Sequence, residues 1–295
     1  QFKSFKNSLS SYNGNIKDNL VLREGTPRFL KKRSINILSL LSGGASRVNF
    51  SHWFLDVLPR IFLFKKTFKK ERIDKVLVPS IKYRYQLESL KLLGYNIKKI
   101  ISADKIRHLK ANKIFATSHP SNFRPMSVPI WNINFIRNSY IKFRKKSGPN
   151  FKKIYIERDN FDLSDNENLE KFKRYRAIVN NNEVKEFLIS KGFKVIRPEK
   201  YSFKDQISLY YNAKIIFGLF GAAMYLISLC KKNTNIIEVR PKKASNEFKR
   251  ISKFCKLNHH QINIKPIIDP GVYTQQGLLN CPIKDIEIIL KKINY

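Results

Sequence analysis

Apolar residues along this chain come in short runs separated by polar turns, and the runs alternate between a strand period and a helix period. Ser34 to Leu41 (SINILSLL) reads as a buried strand, released by the turn Ser42-Gly43-Gly44. From Asn49 onward, Phe50, Trp53, Phe54, Val57, Leu58, Ile61, Phe62, Phe64 and Phe68 recur at three- and four-residue steps, which predicts a long helix kinked at Pro59. Strand Asp74–Ser80, helix Tyr83–Leu93 closed by Gly94, and strands Asn96–Ser102 and Lys110–Ser118 follow, with a proline-bearing loop from Pro120 to Pro129 and a helix from Ile130 to Lys145. After Ser147-Gly148-Pro149-Asn150, two turn formers in a row, the alternation begins again. Strands Lys152–Asp159, Phe193–Arg197, Lys214–Gly218, Thr234–Arg240 and Gln261–Lys265 interleave with helices Asn181–Lys191, Ser202–Asn212, Ala222–Lys231, Asn246–Leu257 and Ile283–Ile293.

Two successive series of short apolar strands alternating with helices imply parallel sheets covered on both faces, hence an α/β protein of two halves. The expected division is 1–147, 148–280 and a C-terminal helix, 281–295, packing back on the first half. Ligands of such sheets bind outside the carboxyl ends of the strands, near helix N-termini. The longest uncharged stretch, Ile215 to Cys230, is too short for a spanning helix of about 20 residues and reads as a strand running into a helix. The chain begins with Gln1 and shows no signal-peptide pattern, so an upstream segment could have been removed.

Composition changes the picture in one respect. With 58 Lys+Arg against 22 Asp+Glu the net charge is +36, which suggests an anionic partner. Part of that excess has a bland source, because 41 Lys, 36 Ile and 27 Asn beside 9 Ala is the signature of an AT-rich genome. Cys230, Cys255 and Cys281 form an odd set with no metal spacing, so neither disulfides nor zinc are expected. His259 and His260 diverge in a strand, and His108 and His119 have no partner at ligand spacing.

Chemistry concentrates first in Asn49-Phe50-Ser51-His52-Trp53-Phe54-Leu55-Asp56-Val57-Leu58-Pro59-Arg60. His52 and Asp56 stand four apart and share a helix face with Asn49, one turn earlier. The same spacing also fits a plain capped helix, with Asn49 as N-cap and a self-satisfied His–Asp pair. N-F-S-H-W-F-L-D-V-L-P-R resembles the signature of glycosyltransferase family 61, the group of capsular polysaccharide biosynthesis proteins, approximately N-[YF]-x-H-W-x-x-D-x-L-P-R. Further segments resemble the family in order: Ile156 to Arg158, Arg176-Ala177-Ile178-Val179-Asn180-Asn181-Asn182-Glu183-Val184, Ser202-Phe203 through Gln206, and Ile236-Ile237-Glu238.

The resemblance implies a GT-B-like arrangement, two Rossmann-like α/β/α domains facing a central cleft, and inverting transfer from a nucleotide-activated sugar without an obligatory metal. The absence of D-x-D agrees. A base must accept the acceptor's proton, with Asp56 the first candidate and His52 the second. Arg158 and Arg176 are the expected diphosphate clamps, Asn180 lies in the same donor segment, and Glu238 resembles the acid that holds the donor ribose. Asn49 and Arg60 are positioning candidates, Arg60 as a helix fastener. The donor loop departs from the family's G-x-H-G-A-[GA]-[LM]-x-N, because Phe220 stands for its His and Leu226 for its Asn. Gly218, Gly221 and Ala222 keep their physical use, presenting backbone N–H groups to a diphosphate.

The expected partners are a nucleotide-sugar donor and a glycan or lipid-linked acceptor. Two basic helix ends, Lys65-Lys66, Lys69-Lys70 and Arg72 and then Arg137, Lys142, Arg144, Lys145 and Lys146, allow contact with the anionic inner face of a membrane. Two other readings stand beside this one: a family member that has lost activity, and a non-catalytic binder of nucleic acid or another anionic polymer. The latter has no nucleic-acid motif to support it, and the aromatic residues follow core periodicity.

Overall fold

A computed structural model describes residues 31–106, 109–121, 128–158 and 175–294. Contacts divide the chain into two compact units, Gln1–Ser139 and Tyr140–Tyr295. In the first, β1 (Lys31–Lys32), β2 (Asn36–Ser39), β3 (Lys75–Val78), β4 (Ile100–Ser102), β5 (Leu109–Lys110) and β6 (Lys113–Ala116) are all parallel, in a four-stranded sheet β4-β3-β2-β6 and a separate pair β1-β5. Leu38 sits opposite Val76 on one side and Phe115 on the other, so the sheet's centre is apolar and dry.

The long helix expected after Asn49 forms in three pieces: α1 (Phe50–His52), a π turn (Trp53–Val57) and α2 (Pro59–Thr67). Asn49 caps it, its Oδ1 accepting from the Ser51 N–H at 2.9 Å. Pro59 has no N–H for the Leu55 carbonyl, and the ladder widens so that Leu58 N–H donates to Trp53 O at 3.1 Å. The freed Leu55 carbonyl accepts instead from Nδ2 of buried Asn132 at 2.8 Å. Two more helices complete this series, α3 (Arg84–Leu92) and α4 (Ile130–Tyr140), the last crossing into the second unit. Trp53, fully buried, donates its indole N–H to Ser89 of α3 at 3.0 Å.

The expected linker at Ser147–Asn150 is not where the units part. Residues after Ser139 are tied to the second unit: the Tyr140 ring meets Phe203 edge-on at 5.1 Å, and the Lys145 N–H donates to Ser208 Oγ.

That unit carries β7 (Lys153–Ile156), β8 (Arg176–Ile178), β9 (Lys194–Ile196), β10 (Ile215–Leu219), β11 (Asn235–Pro241), β12 (Asn258–Ile264) and β13 (Gly277–Leu279). Five of these form a parallel sheet in the order β12-β11-β10-β7-β9, and β13 pairs with β8. Central β10 is buried at every residue, as a strand covered on both faces must be. The helices are α5 (Asn181–Ser190), α6 (Phe203–Asn212), α7 (Glu247–Cys255) and α8 (Ile283–Lys292). Val184 and Leu188 of α5, Ile237 and Val239 of β11, and Ile286 and Leu290 of α8 share one core cluster. The C-terminal helix, expected to pack on the first half, thus shares the core of its own unit.

Two features escape the sequence pattern. β8 and β13 have three residues each, too few to display a period, and β13 begins at Gly277, whose φ of +135° and 2.6 Å approach of a would-be Cβ to Pro266 admit no side chain. The helix expected over Ala222–Lys231 is a 3-10 helix, Ala222–Leu229. At about 2.0 Å rise per residue that winding carries the crossover further from β10 than an α-helix of equal length. Among the described residues no helix is long and apolar enough to cross a membrane.

Candidate functional site

In the first unit the catalytic candidates come from the carboxyl ends of β2 and β6. Asn49, already committed to capping, starts the helix that brings His52 Nδ1 to 2.7 Å from Asp56 Oδ2. The His52 side chain is 41% exposed and that of Asp56 12%, so the imidazole is the outward member of the dyad. A carboxylate on Nδ1 fixes that nitrogen as the donor and turns the Nε2 lone pair away from Asp56. Arg60, buried, donates Nε to the Asp56 carbonyl at 3.0 Å and Nη1 to the Thr117 carbonyl at 2.9 Å, and so fastens the helix to the segment after β6. Burial lowers its pKa, with Asp56 opposing that shift.

That segment delivers a residue absent from the sequence-derived set. His119 Nε2 stands 3.8 Å from Asp56 Oδ1, while its Nδ1 lies 2.8 Å from Ser121 O. Two imidazoles thus flank one carboxylate. The signal in the sequence was position, three residues beyond β6 at the carboxyl edge of a parallel sheet, and helical spacing arithmetic does not reveal it.

In the second unit the glycine loop forms as expected at the end of β10. Gly218 packs so tightly that a Cβ would lie 2.9 Å from Met224 Sδ, and Gly221, in extended backbone, opens the 3-10 helix at Ala222. A Cβ on Gly221 would lie 3.4 Å from Arg158 Nη1 and 3.5 Å from Arg176 Nη1, so both guanidiniums converge on one backbone position. Arg176 also donates Nη1 to the Phe220 carbonyl and Nη2 to Gln276 Oε1 at 3.3 Å. Burial, reinforced by the Arg158 charge, brings its pKa down to about 10. Two adjacent cations with one partly desolvated make a site that an anion relieves.

Phe220, where the family loop has His, faces inward and is buried. The Arg176 guanidinium lies over its ring at 4.9 Å and the Phe248 ring meets it at 4.9 Å, so the substitution exchanges a polar loop group for an aromatic support beneath the arginine.

Glu238 and Asn180 each make hydrogen bonds within the second unit. β11 runs on to Pro241, which leaves Glu238 within the strand and fully buried, with Oε2 2.8 Å from His259 Nε2 and accepting from Gln261 Nε2 at 3.0 Å. Asn180 accepts from the Cys281 N–H at 2.8 Å and donates to the Cys281 carbonyl at 2.9 Å and to Glu183 at 3.0 Å, joining the end of β13 to the start of α5.

Comparison with known proteins sets both groups of residues in a family. The model of the family Glycosyltransferase 61 matches residues 50–237, more than half of the chain. The chain belongs to glycosyltransferase family 61. It is accordingly a glycosyltransferase, and the match spans both the dyad and the arginine-flanked loop. No curated protein matches this family 61 enzyme. Among solved structures, similarity is found to a dodecameric iron-containing heptosyltransferase, TibC, in complex with ADP-D-β-D-heptose, at 12% identity and TM-score 0.41, over 85% of this chain and 68% of that one. TibC from enterotoxigenic E. coli H10407 is similar at 13% identity and TM-score 0.39, over 74% of this chain and 61% of that chain, less than two thirds of its length. The E. coli heptosyltransferase WaaC with ADP is similar at 10% identity and TM-score 0.30, over 88% and 97%.

Proposed function

We propose that this family 61 glycosyltransferase performs inverting, metal-independent transfer of a sugar from a nucleotide-sugar donor to a glycan or lipid-linked acceptor in surface polysaccharide assembly. The observation that carries the reading is the convergence of Arg158 and Arg176 on Gly221 at the end of β10. A diphosphate there receives two planar guanidiniums and the N-terminal end of the Ala222–Leu229 helix. As the bond from the anomeric carbon to the diphosphate oxygen breaks, those cations take up the negative charge on the leaving group. His52 Nε2 accepts the proton of the attacking acceptor hydroxyl, and Asp56 holds the imidazole and stabilises the imidazolium. The more exposed His52 therefore takes the base role, and Asp56 orients it. We infer the acidic inner face of a membrane as the place of work, in keeping with lipid-linked acceptors and the net charge of +36.

A thermal-shift panel of UDP, GDP, CMP and dTDP sugars tests the reading. At least one diphosphate nucleotide should raise the melting temperature of the native chain, and Arg158→Ala and Arg176→Ala should each abolish that rise. A panel with no response, or one unchanged by both substitutions, removes the donor assignment.

A further inference from the structure

The net charge of +36 is far more than a diphosphate site of two arginines uses, and the two basic helix ends differ in what the fold does with them. At the second, Lys145 Nζ pairs with Asp205 at 2.7 Å and the Arg144 guanidinium lies over the Tyr211 ring at 4.6 Å, so these two of its five charges are engaged within the fold. The first surrounds an open groove of about 530 Å³. Phe64, Phe68, Ile73 and Tyr95 give the groove an apolar floor, and exposed Lys65 and Lys69 stand at its rim. Glu71, the acid among its lining residues, is taken by Lys113 at 3.4 Å. Lys66, Lys70 and Arg72 are exposed beside it, and the turn after Tyr95 adds exposed Lys98 and Lys99 with Ile97 half exposed.

We propose that this groove is where the enzyme docks on an anionic phospholipid surface, with headgroup phosphates on the lysines and Arg72 and an acyl segment against the aromatic floor. An apolar slot rimmed by cations with long aliphatic stems matches the boundary between headgroups and acyl chains, where charge and apolar burial add. A soluble polyanion would use the rim but leave the floor idle. The groove lies at the amino ends of the strands: Lys75 opens β3 and bonds the Lys98 carbonyl, Lys113 opens β6, and the Arg72 carbonyl accepts from Asn36 at the start of β2. The His52–Asp56 dyad belongs to the carboxyl ends, so docking leaves it uncovered.

The proposal rests on the membrane placement above and gives it a face. Its test contains neither nucleotide nor sugar, so failure here leaves the transferase reading standing. Flotation is measured with vesicles of phosphatidylcholine with and without phosphatidylglycerol, at about 0.15 M salt, where long-range attraction is screened. The native chain should float with the acidic vesicles and not with the neutral ones. Lys65→Glu/Lys69→Glu/Arg72→Glu should cut partitioning about a hundredfold, at roughly fivefold per basic residue, and Phe68→Ser should lower it with the charge intact. The control Lys142→Glu/Lys146→Glu at the other helix end should leave it unchanged. A circular dichroism melt verifies that each variant folds. Equal flotation with neutral vesicles, equal losses from both charge reversals, or binding of the native chain to duplex DNA but not to acidic vesicles would each overturn the assignment.

Discussion

At the residue scale, His52, Asp56 and His119 form an ordered set in which one carboxylate serves two imidazoles at unequal distances, 2.7 and 3.8 Å. The nearer histidine is the proton acceptor in the proposed reaction, so His52→Ala and Asp56→Asn should each lower kcat by about 10²- to 10⁴-fold with donor binding retained. His119→Ala should cost far less. Steady-state kinetics of the three variants checks the ranking, and full turnover in both His52→Ala and Asp56→Asn sinks the base assignment. Arg176 adds a pH signature. Its guanidinium is charged below about 10 and neutral above, so diphosphate affinity should hold at neutral pH and fall as the pH rises through about 10. Calorimetric titration with the nucleotide across that range reads it, and Arg176→Lys should change the profile because an ammonium lacks the paired donors of the planar fork.

At the element scale, the interrupted helix shows how local chemistry positions the dyad. Its apolar spacing and Pro59 were legible in the sequence, because three- and four-residue steps and a missing N–H are local properties. The π turn was not, since it depends on Asn132, far along the chain, supplying the donor that Pro59 withholds. Asn132→Ala should leave the Leu55 carbonyl buried without a partner and destabilise the fold by about 1–3 kcal/mol, with turnover falling as well because the turn contains Asp56. Urea unfolding together with an activity assay tests it; unchanged stability would mean that the ladder closes without this side chain. A similar dependence on distant partners hid the 3-10 crossover after β10. The loop's glycines announced a turn, but the contacts around it include residues far along the chain, such as Phe248, whose ring meets Phe220.

For the whole molecule, the alternation of strand and helix sufficed for two α/β units because each β-α step is recorded in consecutive residues. The boundary was harder, since Ser147-Gly148-Pro149-Asn150 looks like a linker by composition, yet Gly148 packs against Ser208 within the second unit. His119 and Gln276 were invisible for the same reason: their partners lie across the fold, and only coordinates bring them together. The division into units makes a prediction of its own. Diphosphate binding should slow amide hydrogen exchange in β7, β8, the end of β10 and the Ala222–Leu229 helix, with the sheet of the first unit unaffected in nucleotide alone. Protection spread evenly over both units would move the donor site elsewhere.

Among the described residues every strand pair runs parallel, and this gives the first unit a polarity like that of a tool with a handle and a working end. On the docking and the mechanism proposed above, substitutions at the amino ends of its strands should alter where the protein is held, and substitutions at the carboxyl ends should alter what it does to a sugar. No residue of the basic groove is also a residue of the dyad, so on the proposed docking attachment and chemistry would be open to separate retuning, by selection or by an engineer.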